Sequence, residues 1–163
     1  MSSAGTTGTN KKKLLILLPL AVIIMSFCFS AQDAVRSTEL SLPVDRTVAR
    51  MIHKDFDEWP ADRQYGYELS IDDKVRDAAH CLEYTLLGAA MMAAAAAFVA
   101  SRKKAMVTAA ALGAVCALAD EIHQIFVPGR AFQLTDLMID AAGICIGAAA
   151  AAMIIRLVGS RHH

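Results

Sequence analysis

Hydrophobic residues along this chain gather into four long runs, 14–31, 78–100, 105–127 and 137–158, separated by polar links. Each run approaches or reaches the roughly 20 apolar residues that a helix needs to cross the hydrocarbon core of a bilayer. The pattern therefore predicts an all-α, integral membrane bundle of four transmembrane helices. The one long polar stretch, 32–77, lies between the first and second runs. Within it Val44, Val48, Met51, Ile52 and Phe56 recur at helical spacing, and Asp45, Arg46, Arg50 and Lys54 fill the opposite face. That spacing predicts a short amphipathic helix. Trp59, Tyr65 and Tyr67 follow; such residues favour the headgroup level, so the helix is expected to lie along the membrane surface as a lid. The alternative is a solvated loop that merely joins two spans. Residues 1–10 are small and polar, 1–13 are expected to lack regular structure, and 159–163 form a short tail ending in His162 and His163.

Composition agrees with a membrane chain. The hydrophobic fraction is 56% and mean hydropathy is +0.43, apolar beyond the soluble norm. Sixteen basic and sixteen acidic residues cancel, so no net field favours nucleic acid. Their placement is more informative. Lys11, Lys12 and Lys13 precede the first run, Arg102, Lys103 and Lys104 fill the second link, and Arg156 and Arg161 close the fourth run. The positive-inside rule then places both termini in the cytoplasm, with 32–77 and 128–136 on the extracytoplasmic side. The first run ends in SFCFSAQ after a basic start, like a secretory signal; a cut after Ala31 would put Phe29 where a small side chain is required, so an uncleaved anchor is expected. Pro19 sits inside this run and is tolerated where neighbouring helices satisfy the freed carbonyl. Cys28, Cys81, Cys116 and Cys145 fall one to a run without a CxxC pair, which reads as small buried apolar residues.

Candidate chemistry lies at the ends of the last three runs. His80, Glu83 and Tyr84 share a helix face, as do Asp120, His123 and Gln124 beside Glu121, and Asp136 with Asp140. With the second and fourth helices descending and the third ascending, His80, His123 and Asp136 form a layer nearer water. Glu83, Asp120 and Asp140 then lie about one helical turn deeper, roughly 4.5–6 Å. Arg130, and Arg76 before the second run, add positive charge at the rim, and Pro128–Gly129 reads as the turn that folds Arg130 over the cluster. Polar side chains also hold membrane helices together, at roughly 1 kcal/mol or less per contact, which accounts for one pair easily. It accounts poorly for three carboxylates, two histidines and an arginine converging in one leaflet, and ionisable groups at that depth usually mark function. Gln124 and Tyr84, taken singly, read as packing or supporting groups. Gly143 and Gly147, and Gly88, have the small-residue character that allows close helix approach, and the alanines of 93–97 share that explanation.

The segments VRDAAHCLEYTLLG at 75–88, DEIHQIFVPGR at 120–130 and DLMIDAAGICIG at 136–147 resemble the VanZ-like family of small bacterial membrane proteins, and FSAQ is similar to the end of the first span in many members. The resemblance covers about half of the chain. It implies that Arg76, His80, Glu83, Tyr84, Asp120, Glu121, His123, Gln124, Pro128, Arg130, Asp136 and Asp140 are the family's characteristic positions. Asp77 departs from a lysine common there, and Asp140 is often asparagine in relatives. The family takes its name from a member linked to teicoplanin resistance, which implies a context of antibiotic susceptibility and no settled reaction.

Three functions are compatible with these residues. The first is an extracytoplasmic site acting on an anionic, lipid-linked envelope molecule, as a hydrolase or transferase at a lipid phosphate. Here His80, Glu83, Asp120, Glu121, His123 and Asp136 supply the catalytic groups, and Arg130, Gln124, Arg76, Tyr84 and Asp140 the binding groups. A divalent metal on His80, Glu83, Asp120 and His123 is an open variant, since helix bundles build carboxylate–histidine metal sites in this way. The second is a noncatalytic module that binds a lipid headgroup, a glycopeptide or a partner protein. The third, a proton-coupled transporter, ranks last because four helices show no obvious inverted repeat.

Overall fold

The computed structural model describes the backbone of residues 4–160 and the side chains of residues 13–160. Arg161 and the terminal histidines therefore lie outside the described residues. The order is α1 (Ala4–Ser30), α2 (Ala34–Ile52), a 3-10 turn (Phe56–Glu58), α3 (Ala61–Phe98), α4 (Arg102–Gln124) and α5 (Leu134–Gly159), so all regular structure among them is helical. The four helices α1, α3, α4 and α5 are long and apolar enough to cross a membrane. They coincide with the four hydrophobic runs.

Two boundaries differ from the hydrophobic pattern. Helix α1 starts at Ala4, so the polar stretch expected to lack regular structure is helical from there on, and it runs through Pro19 without interruption. Once a helix is nucleated in the apolar run, each added residue gains a hydrogen bond at little further cost. Helix α3 starts at Ala61 instead of 78 and runs for 38 residues. At about 1.5 Å per residue it is about 57 Å long, nearly twice the roughly 30 Å of a hydrocarbon core. Its first half therefore extends past the depth at which its second half is matched by α4 and α5.

Against this extension packs α2. Thr38 and Ser41 donate to the Asp72 carboxylate, and farther along α2 the Arg46 Nε donates to Glu68 Oε1 at 2.7 Å, so the two helices run antiparallel. The stretch 32–77 is thus a helical hairpin, neither a loop nor an isolated helix spread along a surface. Its facing departs from the amphipathic expectation at several positions, although Arg46, Arg50 and Lys54 are exposed and Phe56 is buried as expected. Asp45 and Ala49 are fully buried, while Met51 is 80% exposed. Pairing sets the side of α2 that meets α3, since its hydroxyls and a guanidinium reach the otherwise isolated acids Glu68 and Asp72, and it carries Asp45 into the contact without a hydrogen-bond partner. At the tip, Phe56 is buried in an aromatic cluster with His53, Trp59 and Tyr67, with Arg63 lying 3.8 Å over the Trp59 ring. Trp59 and Tyr67 hence close the hairpin, and Tyr65 alone of the three expected interfacial aromatics is exposed.

Helix α3 is the hub, touching α1, α2, α4 and α5, the last most extensively. The α3–α5 crossing depends on three glycines. A methyl group at Gly88 would overlap the Ile144 carbonyl, one at Gly143 would press on the Cys81 carbonyl, and one at Gly147 would overlap the Thr85 carbonyl. The core around this crossing holds Tyr84, Leu87, Met92, Ile144 and Ala148, with Ala105, Ala109 and Ala117 from α4. Large apolar side chains such as Leu112, Val115, Ile146 and Ile154 point outward, as a lipid-facing surface requires. All four cysteines are free. Cys28 and Cys145 are exposed and belong to that outer surface, a correction to their expected burial: alanine and glycine fill the tight crossings instead.

Candidate functional site

Polar residues from α3, α4 and α5 meet at the bundle end where α4 stops and α5 starts. Asp120, Glu121, Gln124 and Asp140 are fully buried there, and Asp136 nearly so. His80 lies among Asp140, Glu83 and Asp136; Glu83 lies near Asp120 and Asp140; Glu121 lies near Asp136, Asp140 and His80. The expected convergence of three helices holds for these groups. The expected two layers do not stay separate, because His80 Nδ1 is 3.5 Å from Asp140 Oδ1. That spacing is a charge contact at the outer edge of hydrogen bonding.

His123 stands apart. Its ring packs on Phe27 of α1 at 5.7 Å between centroids, and among the described residues it forms no ion pair within 4.0 Å. Three positions turn a helix by about 300°, so His123 sits about 60° around α4 from Asp120, enough to turn it to α1. Consequently His80, Glu83, Asp120 and His123 do not form one ligand set, and among the described residues no three His, Cys, Asp or Glu side chains are arranged to hold a metal ion.

Helix α1 contributes two groups that the sequence reading missed. Ser26 donates to Glu83 Oε2 at 3.0 Å and Ser30 donates to Asp120 Oδ2 at 2.6 Å. Both serines are buried and lie one turn apart on the face turned to α3 and α4. Tyr84, also buried, lies near Ser26 and Asp120. A serine inside an apolar run carries little signal of its own; the four-residue spacing of Ser26 and Ser30 was the available clue.

The link between α4 and α5 has its own supports. Glu121 Oε2 accepts the backbone amide of Gln133, the N-cap of α5, at 2.8 Å, a structural duty that occupies one of its oxygens. Asp136, in the first turn of α5, accepts from the Gln133 amide at 3.2 Å and the Thr135 hydroxyl at 3.4 Å. Asp140 has both carboxylate oxygens buried without a hydrogen-bond partner, and Gln124 has both amide atoms in the same condition.

Gly129 adopts φ +76°, a conformation open to glycine, and with Pro128 makes the expected turn. The Pro128 carbonyl accepts from the Ala34 amide at 3.3 Å, which ties the turn to the start of α2. Arg130 follows, half-buried. Burial and the neighbouring charge of Arg76 pull its guanidinium below its usual range, against the opposing pull of Asp136, Asp120 and Glu121. Two guanidiniums held close together favour an anion between them. Arg76 is partly engaged by Asp73 at 2.5 Å and Asp72 at 3.7 Å.

Both arginines line a groove of about 780 Å³ between α2, α3 and the end of α1. That size is ordinary for a small-molecule site. Leu40, Val44, Val48 and Ile52 form one wall, Ile71, Val75 and Leu82 the other. His80 and Glu83 close its polar end. Asp120, Glu121, Asp136 and Asp140 stand behind them, buried away from the groove.

A family model described as VanZ/LLP1 matches residues 15–156 of the chain. No curated protein and no solved structure gives a significant match.

Proposed function

Since the chain belongs to the VanZ/LLP1 family, we propose that it acts on an anionic, lipid-linked molecule of the bacterial cell envelope, at a site facing the extracytoplasmic side. The observation that carries this reading is the groove's composition: apolar walls end at Arg76, Arg130, His80 and Glu83. The orientation is supported by Lys13, Arg102, Lys103, Lys104 and Arg156, which all belong to the opposite end of the bundle.

In this reading Arg130, assisted by Arg76, binds a phosphate through paired N–H donors. A neutral His80 takes the proton of a water or acceptor hydroxyl as that oxygen attacks phosphorus. The phosphorus–oxygen bond to the leaving group breaks, and the imidazolium returns its proton to the departing oxygen. Asp140 behind His80 stabilises the imidazolium, and Ser26 orients Glu83 beside it. Asp120, Asp136 and Glu121 keep the three helices in register around these groups. An effect on teicoplanin susceptibility would be a consequence of altering such a molecule.

The enclosure of four of the acids away from the groove favours one second reading, a noncatalytic module that binds the same anionic lipid. Charge-neutral variants separate the two. Expression of the chain is expected to change the pool of a phosphate-bearing envelope lipid, followed by mass spectrometry, and Glu83→Gln and His80→Asn are expected to abolish that change at equal protein levels. An unaltered lipid pool, or full effect from both variants, removes the enzymatic reading.

A further inference from the structure

Most of the groove's apolar wall, Leu40, Val44, Val48, Ile52, Ile71 and Val75, lies outside the four apolar runs. From Glu83 to Tyr67 the groove follows α3 for about 24 Å, and from position 77 outwards it lies on the part of the helix that extends past a hydrocarbon core. Val44 and Ile52 on the facing helix are 52% and 57% exposed. Most other exposed apolar side chains belong to the spans, and those outside them, such as Val35, Met51 and Leu69, do not line the groove; an apolar trough of this extent outside the bilayer marks a binding surface. Its charge is asymmetric as well. Arg130 lies at the end nearest the bundle and Arg76 near the middle of the α3 wall, and the other end closes on Tyr67 and the aromatic tip.

We propose that this groove seats one acyl chain of an anionic phospholipid, lifted out of the bilayer, with the phosphate on Arg76 and Arg130 and the chain running up between α2 and α3 towards Trp59. The proposal rests on the anion-binding role assigned above to the arginines, and extends it by naming what fills the apolar part. Each methylene taken up by the walls is again shielded from water, which offsets its removal from the bilayer. The narrow trough between two helices, walled by Leu40, Val48, Ile71 and Val75, matches a single linear chain. The chain's end would reach Tyr67, whose ring centroid is 5.7 Å from that of Trp59.

Trp59 is the one tryptophan of the sequence, so its fluorescence reports on the hairpin tip alone. The full-length protein is placed in vesicles containing phosphatidylglycerol brominated near the chain end. Strong quenching of Trp59 is expected, with much weaker quenching from equally brominated phosphatidylcholine. Val44→Phe, which fills the trough between the arginines and Tyr67, and Arg130→Gln, which weakens the phosphate seat, are both expected to lose the quenching. Met138→Phe, on the exposed face of α5, is expected to keep it. An unchanged emission spectrum without brominated lipid shows that each variant retains its tip.

Absence of quenching in the unmodified protein overturns the proposal. So does quenching that is strongest from bromine near the glycerol and indifferent to headgroup and to Val44→Phe, because that pattern means the hairpin lies on the bilayer surface. Loss of the chain-end quenching alongside an intact effect of Glu83→Gln on envelope lipid would reject the acyl seat and leave the proposed reaction standing. Quenching that persists while Glu83→Gln is silent would support the seat and reject the reaction.

Discussion

Ser30 and Asp120, 90 positions apart in the chain, are joined by a buried 2.6 Å hydrogen bond from the serine hydroxyl to Oδ2. It fastens the end of α1 to the end of α4 and makes the first span part of the polar site. Removing the hydroxyl by Ser30→Ala leaves a buried carboxyl oxygen without its donor, at a cost of about 1–3 kcal/mol. A lower melting temperature in detergent is expected, and Ser30→Thr should recover most of it by keeping the hydroxyl. Equal melting of all three proteins would show that the bond contributes nothing.

Crowding at the α3–α5 crossing predicts opposite outcomes at two glycines. Gly147→Ala forces a methyl group into the Thr85 carbonyl and is expected to destabilise by about 1–3 kcal/mol, since the packed backbone must move. Gly66 in the projecting part of α3 has open space around it, so Gly66→Ala is expected to stabilise by about 0.5–1 kcal/mol through helix propensity. Chemical or thermal unfolding of both variants checks the sign of each.

Arg130 is expected to be irreplaceable by lysine. If it grips a phosphate with paired donors, Arg130→Lys keeps the charge and loses the fork, costing roughly 1.5–3 kcal/mol, or about tenfold to a hundredfold in lipid affinity. Titration with phosphatidylglycerol, read by Trp59 fluorescence, gives the ratio directly. A lysine variant with unaltered affinity would reduce Arg130 to a point charge.

Asp45 gives the hairpin a dependence on pH. Burial first, then the charges of Asp72 and Glu68, push its carboxyl up to about 6, against the opposing influence of the nearby Ser41 hydroxyl. The other charges around it are already engaged, Arg46 with Glu68 and Arg76 with Asp72 and Asp73. A folded value above the unfolded one means that the stabilising contribution is complete below about pH 4 and is lost as pH rises through about 6. Amide exchange in α2, corrected for intrinsic rates, is expected to be slower relative to α4 at pH 5 than at pH 7.5 (both about one unit or more from 6). Asp45→Asn should be slow at both values. Indifference of α2 to pH in the unmodified protein would contradict the raised value.

Much of the site was legible because it obeys helix periodicity. His80 with Glu83, Asp120 with Gln124 and Asp136 with Asp140 each share a face by spacing alone, and lipid excludes the solutions in which those faces point outward. His123 shows the weakness of the same rule: a residue about 60° around the helix from Asp120 can turn to a different neighbour, here Phe27. Glu121, off the expected face, was placed by its bond to the Gln133 amide, which depends on the path of the α4–α5 link.

Four apolar runs, their lengths and the small residues at 88, 143 and 147 were enough to determine a four-span helical bundle, because hydrocarbon leaves a spanning backbone little choice but to bond within its own helix. Tertiary structure alone decided that 32–77 doubles back as a hairpin, that the valines of α2 wall a groove, and that Ser26 and Ser30 reach the acids of α3 and α4. Those outcomes rest on which polar group finds which partner across tens of residues, and local periodicity carries no information about pairing at that range.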